Sequence, residues 1–398
     1  MYGIRREMRR VLVFAALVTL TAGGPCQTDL DCSLNGICVQ GYCQCDAPWK
    51  DGHSGMESCN VLDVLPHPDS YIPAYGGPRT NTAFEPQSTT SWGGNIIKGE
   101  DGKFHMWVSA MGGGQGLKSW THNSQIDHAV ADDPMDVFVK QDVALNKEAH
   151  NASPMRAQNG SFLLFHIGNA GISHGGSSFL HASEDPSGPW RPLPDLPCNN
   201  PAPMLHNNGT TYVGCNSGGF NVFRSDNPFA GGWTHVTKLS FPPQWSGDAP
   251  SELKNEDPYM WMDSRGAWHF LAHRYDYRDG WPRNPNETEP VLVSGHGFSA
   301  DGVDWHFNSA EQPYNATVTF ANGTSQHFST FERPHLLFND NGQATHLING
   351  VSPYWNPPGT AGPCDKCDAR PGSAHSCVVC KTTSGIDFTY TLVTALNV

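Results

Sequence analysis

The chain has 398 residues, with 24 Lys+Arg against 38 Asp+Glu and a formal net charge of −14. That balance repels a phosphate backbone and excludes a nucleic-acid partner. With 42 glycines and 31 prolines, turns and short strands are favoured over long helices. The length suits one large domain beside a small one.

Residues 1–23 read as a secretory signal peptide. Arg5, Arg6, Arg9 and Arg10 precede an apolar run from Val11 to Leu20, and the small residues Thr21, Ala22, Gly23 and Gly24 follow. The run is too short to span a bilayer, so a secreted, extracellular product with no stable membrane insertion after cleavage is expected. The sequons at Asn159, Asn208, Asn286, Asn315 and Asn322 are read as glycosylation sites in surface turns. A sixth, at Asn151, opens a repeat unit, where burial would prevent modification.

Twelve cysteines in a secreted chain imply disulfides. Cys26, Cys32, Cys38, Cys43, Cys45 and Cys59 crowd into residues 24–60, with Asn35-Gly36 before the third and a C-x-C at Cys43-Gln44-Cys45. Spacing alone leaves 15 connectivities open. The pattern resembles an epidermal growth factor-like module. The resemblance implies Cys26–Cys38, Cys32–Cys43 and Cys45–Cys59, with a structural role or a protein partner for the module. So small a segment depends on its bridges for stability. Cys198 and Cys215 flank one hairpin and are expected to pair. Cys364, Cys367, Cys377 and Cys380 copy a zinc-ribbon spacing, but an oxidising compartment favours disulfides there too.

From residue 61 to 398 the sequence repeats. A polar opening, in four of five copies with a proline, leads into an apolar strand, a glycine turn and a second strand. The openings are Trp92-Gly93-Gly94-Asn95, Asn151-Ala152-Ser153-Pro154, Asn200-Pro201-Ala202-Pro203, Glu256-Asp257-Pro258 and Glu332-Arg333-Pro334. The turn glycines are Gly102, Gly160, Gly209, Gly266 and Gly342, which are 58, 49, 57 and 76 residues apart. Such a period fits a blade of four strands, so the fold class is all-β, a five-bladed propeller. A strand at Phe388 to Val393 is expected to close the ring. In a propeller the five openings converge on one central site.

This region resembles the five-bladed propellers of glycoside hydrolase family 43 and its relatives, in its repeats and in Glu256-Asp257-Pro258-Tyr259-Met260-Trp261 followed by Asp263-Ser264-Arg265-Gly266. The resemblance implies a base, an acid and a pKa-tuning carboxylate on different blades, with Glu256 matching the acid. The positions for base and tuner read Gly94 or Asn95 and Asn199 or Asn200, all uncharged. Glu332 is the remaining candidate base, facing Glu256 across the cavity. Trp92, Asn95, Asn200, Asp257, Arg333 and His273 are candidate substrate contacts. His128, His166, Trp120 and Trp261 are further candidates. An ion pair between Arg333 and Asp257 is the structural alternative for those two residues. No metal motif such as H-E-x-x-H occurs among the 19 histidines, and no cofactor or metal is called for. The expected function is binding of an oligosaccharide or polysaccharide with glycosidase activity. The alternative is a non-catalytic, lectin-like adhesion protein.

Overall fold

The computed structural model describes residues 24–52, 58–68, 89–112, 117–146, 148–168, 178–196, 199–216, 220–241, 255–274, 293–308, 311–328, 330–352 and 389–398. The leader, Cys198, the four C-terminal cysteines and Asn286 lie outside them. Among the described residues, no helix is long and apolar enough to cross a membrane.

The N-terminal region holds strands β1 (Gly36–Val39), β2 (Tyr42–Cys45), β3 (Trp49–Lys50) and β4 (Val61–Leu62), with β1 paired to β2 and β3 to β4. Its disulfides are Cys26–Cys38, Cys32–Cys43 and Cys45–Cys59. Cys215 is also disulfide-bonded, and its expected partner Cys198 is outside the described residues.

Four antiparallel four-stranded sheets follow, each ordered as in the chain. Blade 1 is β5 (Thr90–Lys98), β6 (Phe104–Met111), β7 (Ser124–Ala131) and β8 (Val139–Leu145). Blade 2 is β9 (His150–Arg156), β10 (Phe162–Ile167), β11 (Ser178–Ser183) and β12 (Arg191–Leu196). Blade 3 is β13 (Asn199–Leu205), β14 (Thr211–Asn216), β15 (Phe220–Ser225) and β16 (Thr234–Lys238). Blade 4 is β17 (Asn255–Met262), β18 (Trp268–Arg274), β19 (Ser294–Ser299) and β20 (His306–Phe307). A small hairpin, β21 (Thr317–Thr319) with β22 (Ser325–His327), leads to blade 5, which is β23 (Thr330–Phe338), β24 (Ala344–Ser352) and β25 (Tyr390–Ala395). The closing strand thus starts two residues later than the sequence suggests.

The N-terminal segment completes blade 5. Val64 bridges Leu396 antiparallel. Leu65 N–H donates to the Ala395 carbonyl at 2.9 Å, and Asn397 N–H to the Asp63 carbonyl at 2.8 Å. Residues 63–65 and 395–397 therefore share one blade, and the ring is closed by hydrogen bonds.

Packing closes it as well. Apolar cores lie between successive blades. Leu163 and Phe165 meet Val213 and Cys215 between blades 2 and 3, while Leu337, Ile348 and Val393 meet Ile96, Met106 and Val108 between blades 5 and 1. The five turn glycines have φ between +76° and +89°. Each donates to the carbonyl three residues back, and a left-handed residue there is what a tight strand turn requires. The sequons Asn159, Asn208, Asn315 and Asn322 are exposed, whereas Asn151 is buried.

Candidate functional site

Each inner strand breaks its ladder at the polar opening. In blades 2 to 5 two residues oppose one. Asn151-Ala152 faces His166, Asn200-Pro201 faces Cys215, Asp257-Pro258 faces Ala272, and Arg333-Pro334 faces Asn349. In blade 1 the register slips at Gly93. These are β-bulges, which twist a strand and re-aim its side chains. The first bulge residue is left-handed in every blade: φ is +46° at Gly93, +58° at Asn151, +47° at Asn200, +53° at Asp257 and +53° at Arg333. Asn and Asp tolerate that region better than most residues, and for a bulky arginine it is a strained exception. Proline suits the next position, because a bulge residue makes no ladder bond that needs its N–H.

The left-handed residues form a buried belt between blades. Arg333 Nη1 donates to Asp257 Oδ1 at 2.9 Å, with the two side chains 2% and 4% exposed. Asn151 Nδ2 donates to Asn200 Oδ1 at 2.7 Å. Gly93 makes room for the arginine, since a Cβ there would lie 2.8 Å from the Arg333 Cβ.

The residues just before the bulge are Trp92, His150, Asn199, Glu256 and Glu332. Two of them meet. Glu256, Glu332 and His273 of β18 each offer a donor atom, and these atoms all lie within 4.8 Å of one another. His273 stands opposite Glu256 in register, and its Nδ1 is 3.6 Å from Glu332 Oε2. The two side chains are 6% and 13% exposed, respectively. Burial, and then the charges of Glu256 and Asp257, push the Glu332 carboxyl well above its ordinary range, with Arg333 opposing. Burial holds the His273 imidazole neutral, down at about 3. Burial also raises Asp257, against the pull of Arg333. Asn349 Nδ2 donates to the Glu332 carbonyl at 3.2 Å and steadies the strand.

The carboxyls expected to face each other across the cavity are therefore side by side on adjacent blades. Arg333 and Asp257, candidate substrate contacts by sequence, are engaged with each other in the belt. Asn200 is likewise held by Asn151. Asn95, counted with the first opening, pairs with Trp107 beyond the bulge, and Trp92 is the residue at its corresponding place. The Trp92 indole lies against Gly350 of blade 5, next to the register position of Glu332.

Of the remaining aromatic and histidine candidates, Trp120 stands at the blade 2 opening and the others are elsewhere. His128 joins His105 at 2.9 Å and Asp142 at 3.0 Å, and His166 joins His181 at 3.1 Å. Trp120 stacks on His150. Trp261 stacks on Trp49 of the N-terminal region, with ring centroids 6.4 Å apart and 9° between planes. The grouping of His273 with two glutamates escaped the sequence, because it spans 17 residues to Glu256 and 59 to Glu332 with no motif spacing.

No protein-family model matches the chain, and no curated protein does. Solved structures do resemble it. A thermostable family-43 glycoside hydrolase shares 13% identity over 72% of this chain and 89% of that one, with a TM-score of 0.47. Zg3597, a family 117 glycoside hydrolase produced by the marine bacterium Zobellia galactanivorans, shares 11% over 84% and 91%, at 0.47. An exo-beta-1,3-galactanase from Phanerochaete chrysosporium, solved with beta-1,3-galactotriose, shares 10% over 82% and 64%, at 0.49. The likeness is one of fold. The chemistry below rests on the site itself.

Proposed function

We propose that the protein is an extracellular, glycan-acting enzyme of glycoside hydrolase type, with Glu332 as proton donor and Glu256 as its partner carboxyl. The observation that carries this reading is the convergence of two half-buried carboxyls and a histidine at the inner-strand openings of adjacent blades. Glycoside hydrolysis needs one carboxyl that keeps a proton and another that is charged. Inverting pairs stand roughly 6.5–9.5 Å apart to seat a water, whereas retaining pairs stand about 5–5.5 Å apart. Oxygens within 4.8 Å of one another are closer than the pair that seats a water between its carboxyls, which favours retention. In the sequence reading Glu256 is the acid and Glu332 the candidate base; in this reading the two roles are exchanged, because Glu332 is the carboxyl that burial drives upward.

The rest of the reading follows the chain. Residues 1–23 are a signal peptide, 24–60 an EGF-like module and 61–398 the propeller. The three N-terminal bridges support the module, and the exposed sequons support a glycoprotein. Carbohydrate is the partner at the mouth, and a protein partner suits the module.

The test is a panel of aryl glycosides and polysaccharides, with Glu256→Gln and Glu332→Gln as variants. Each variant is expected to lower kcat by ~10²–10⁴-fold while glycan binding persists, and product NMR is expected to show retained anomeric configuration. Full turnover by either variant removes the pair from the mechanism. A second reading, a lectin-like protein, is favoured by Trp92 and Asn199 standing where family carboxylates are expected. Glycan binding without turnover by the wild type would establish it.

A further inference from the structure

The same three side chains support a reading that needs no substrate. Two carboxylate oxygens and one imidazole nitrogen lie within 4.8 Å of one another. They are carried by three rigid places: the starts of two inner strands and the position opposite Glu256 on β18. The bulge belt locks the backbone beneath them through the Arg333–Asp257 pair.

We propose that Glu256, His273 and Glu332 form a binding site for one divalent transition-metal ion of the Zn²⁺ class. Distances choose the kind of ion. Zinc binds nitrogen and carboxylate oxygen at about 2.0–2.2 Å, so two tetrahedral ligands stand roughly 3.3 Å apart. His273 Nδ1 and Glu332 Oε2 are 3.6 Å apart, and a closure of a few tenths of an ångström completes that pair. A bound ammonium group would need its acceptors farther apart, about 4.6 Å for tetrahedral hydrogen bonds of ~2.8 Å. Calcium takes about 6–8 oxygen ligands and magnesium a near-ideal octahedron of oxygens. A site of three protein donors that includes an imidazole suits neither, and it is what zinc-class ions accept, with a fourth position left for water or ligand. An ion held there occupies both carboxyls, so it blocks the proton transfer assigned to them above. Metal binding itself does not depend on that assignment.

The experiment uses the full secreted chain, stripped of metal by chelator and dialysis. Isothermal titration and thermal shift with ZnCl₂ are run on wild type, Glu332→Gln and His273→Gln, with CaCl₂ and MgCl₂ as controls and circular dichroism to verify folding. Wild type is expected to bind one more equivalent of zinc than either variant, or to bind that equivalent at least about tenfold more tightly. Zinc held elsewhere, for instance by the C-terminal cysteines, is common to all three proteins and cancels in the comparison. Equal stoichiometry and affinity in wild type and both folded variants would overturn the proposal, as would calcium binding of equal strength lost in the same variants. If glycoside turnover is found, it should fall with zinc occupancy. Zinc binding with no turnover by the metal-free protein keeps this proposal and sinks the hydrolase reading, and turnover by the metal-free protein with no zinc binding does the reverse.

Discussion

Strands β17 and β18 carry a histidine–carboxylate group at each end, and the two ends differ in charge balance. At the end where the N-terminal region docks, Arg265 lies between Asp46 and Asp263, at 2.6 and 3.2 Å, and also donates to the Leu34 carbonyl at 2.5 Å. His269 bonds to His296 at 3.2 Å, and His296 to Asn60 at 3.1 Å. Trp261 stacks on His269 with 5.0 Å between centroids. Burial works to raise Asp263 there, but His269, the Ala267 N–H and Arg265 outweigh it and hold the carboxyl below its usual range. At the axial end, Arg333 is engaged with Asp257, and Glu332 is driven upward. One pair of strands thus builds, at one end, a joint in which an arginine lies between two carboxyls, Asp263 lowered and Asp46 raised by burial against the pull of that arginine, and at the other a carboxyl pair whose nearest arginine is engaged elsewhere. A joint is served by a cation shared between its carboxyls, whereas a proton donor or an ion site is served by carboxyls left without one.

The strongest way to break that comparison is to unbalance the belt. Arg333→Leu strands a buried Asp257 carboxylate, and losing one partner of a buried pair costs about 3–5 kcal/mol. A urea midpoint close to wild type would show that the pair is not what holds blades 4 and 5. Arg333→Leu combined with Asp257→Leu should recover part of the loss, because it removes the orphaned charge as well.

Acid sharpens the comparison next, because histidines buried neutral make folding sensitive to pH. Burial lowers His67 to about 4, and His166 and His335 to about 3. Below an unfolded pKa near 6.5 the unfolded chain takes up protons that the folded chain does not. Stability is therefore full above that pH and falls as pH drops from about 6.5 toward the folded values. Each such group removes ~1.4 kcal/mol per pH unit in that window, or about 2 kcal/mol by pH 5. Denaturant midpoints at pH 7.5 and 5 measure it, and His166→Phe should flatten the slope by one proton. An unchanged midpoint would mean these imidazoles are not buried neutral.

Much of this was legible because its causes are local. A left-handed turn residue selects glycine, and a two-against-one bulge selects a polar residue, followed directly by proline in blades 3 to 5 and by Ala152 in blade 2. Those two signals gave the blades and four of the five openings. Blade 1 was misaligned because Gly93 meets the bulge's needs without a proline, and Asn95 was counted in its place. The Arg333–Asp257 pair was visible as an alternative because both residues sit at equivalent repeat positions. The meeting of Glu256, His273 and Glu332 was not visible, since it depends on register between strands and on the angle between blades. Nor was the docking of Trp49 on Trp261, a contact across more than 200 residues of chain. The segment 63–65 makes only a few ladder bonds, too few to impose a pattern.

The smallest expected effect lies at the joint. Arg265 is 37% exposed, so solvent screens its ion pairs, and an exposed pair contributes roughly 0–1 kcal/mol. Arg265→Ala should therefore cost about 1 kcal/mol or less in global stability. Its local effect should be larger, because the guanidinium ties the Leu34 carbonyl and Asp46 to the blade 4 turn. Faster amide exchange is expected at residues 34–50, with the inner strands β17 and β23 unchanged. The Trp49–Trp261 stack and the Asn60–His296 bond remain, so the region should loosen without detaching. Turnover or zinc uptake at Glu256, His273 and Glu332 should match wild type, since the two ends of β17 and β18 are joined only by a paired ladder. A matching loss at the axial site would show that the two ends are coupled, and that balance at the joint serves the chemistry at the mouth.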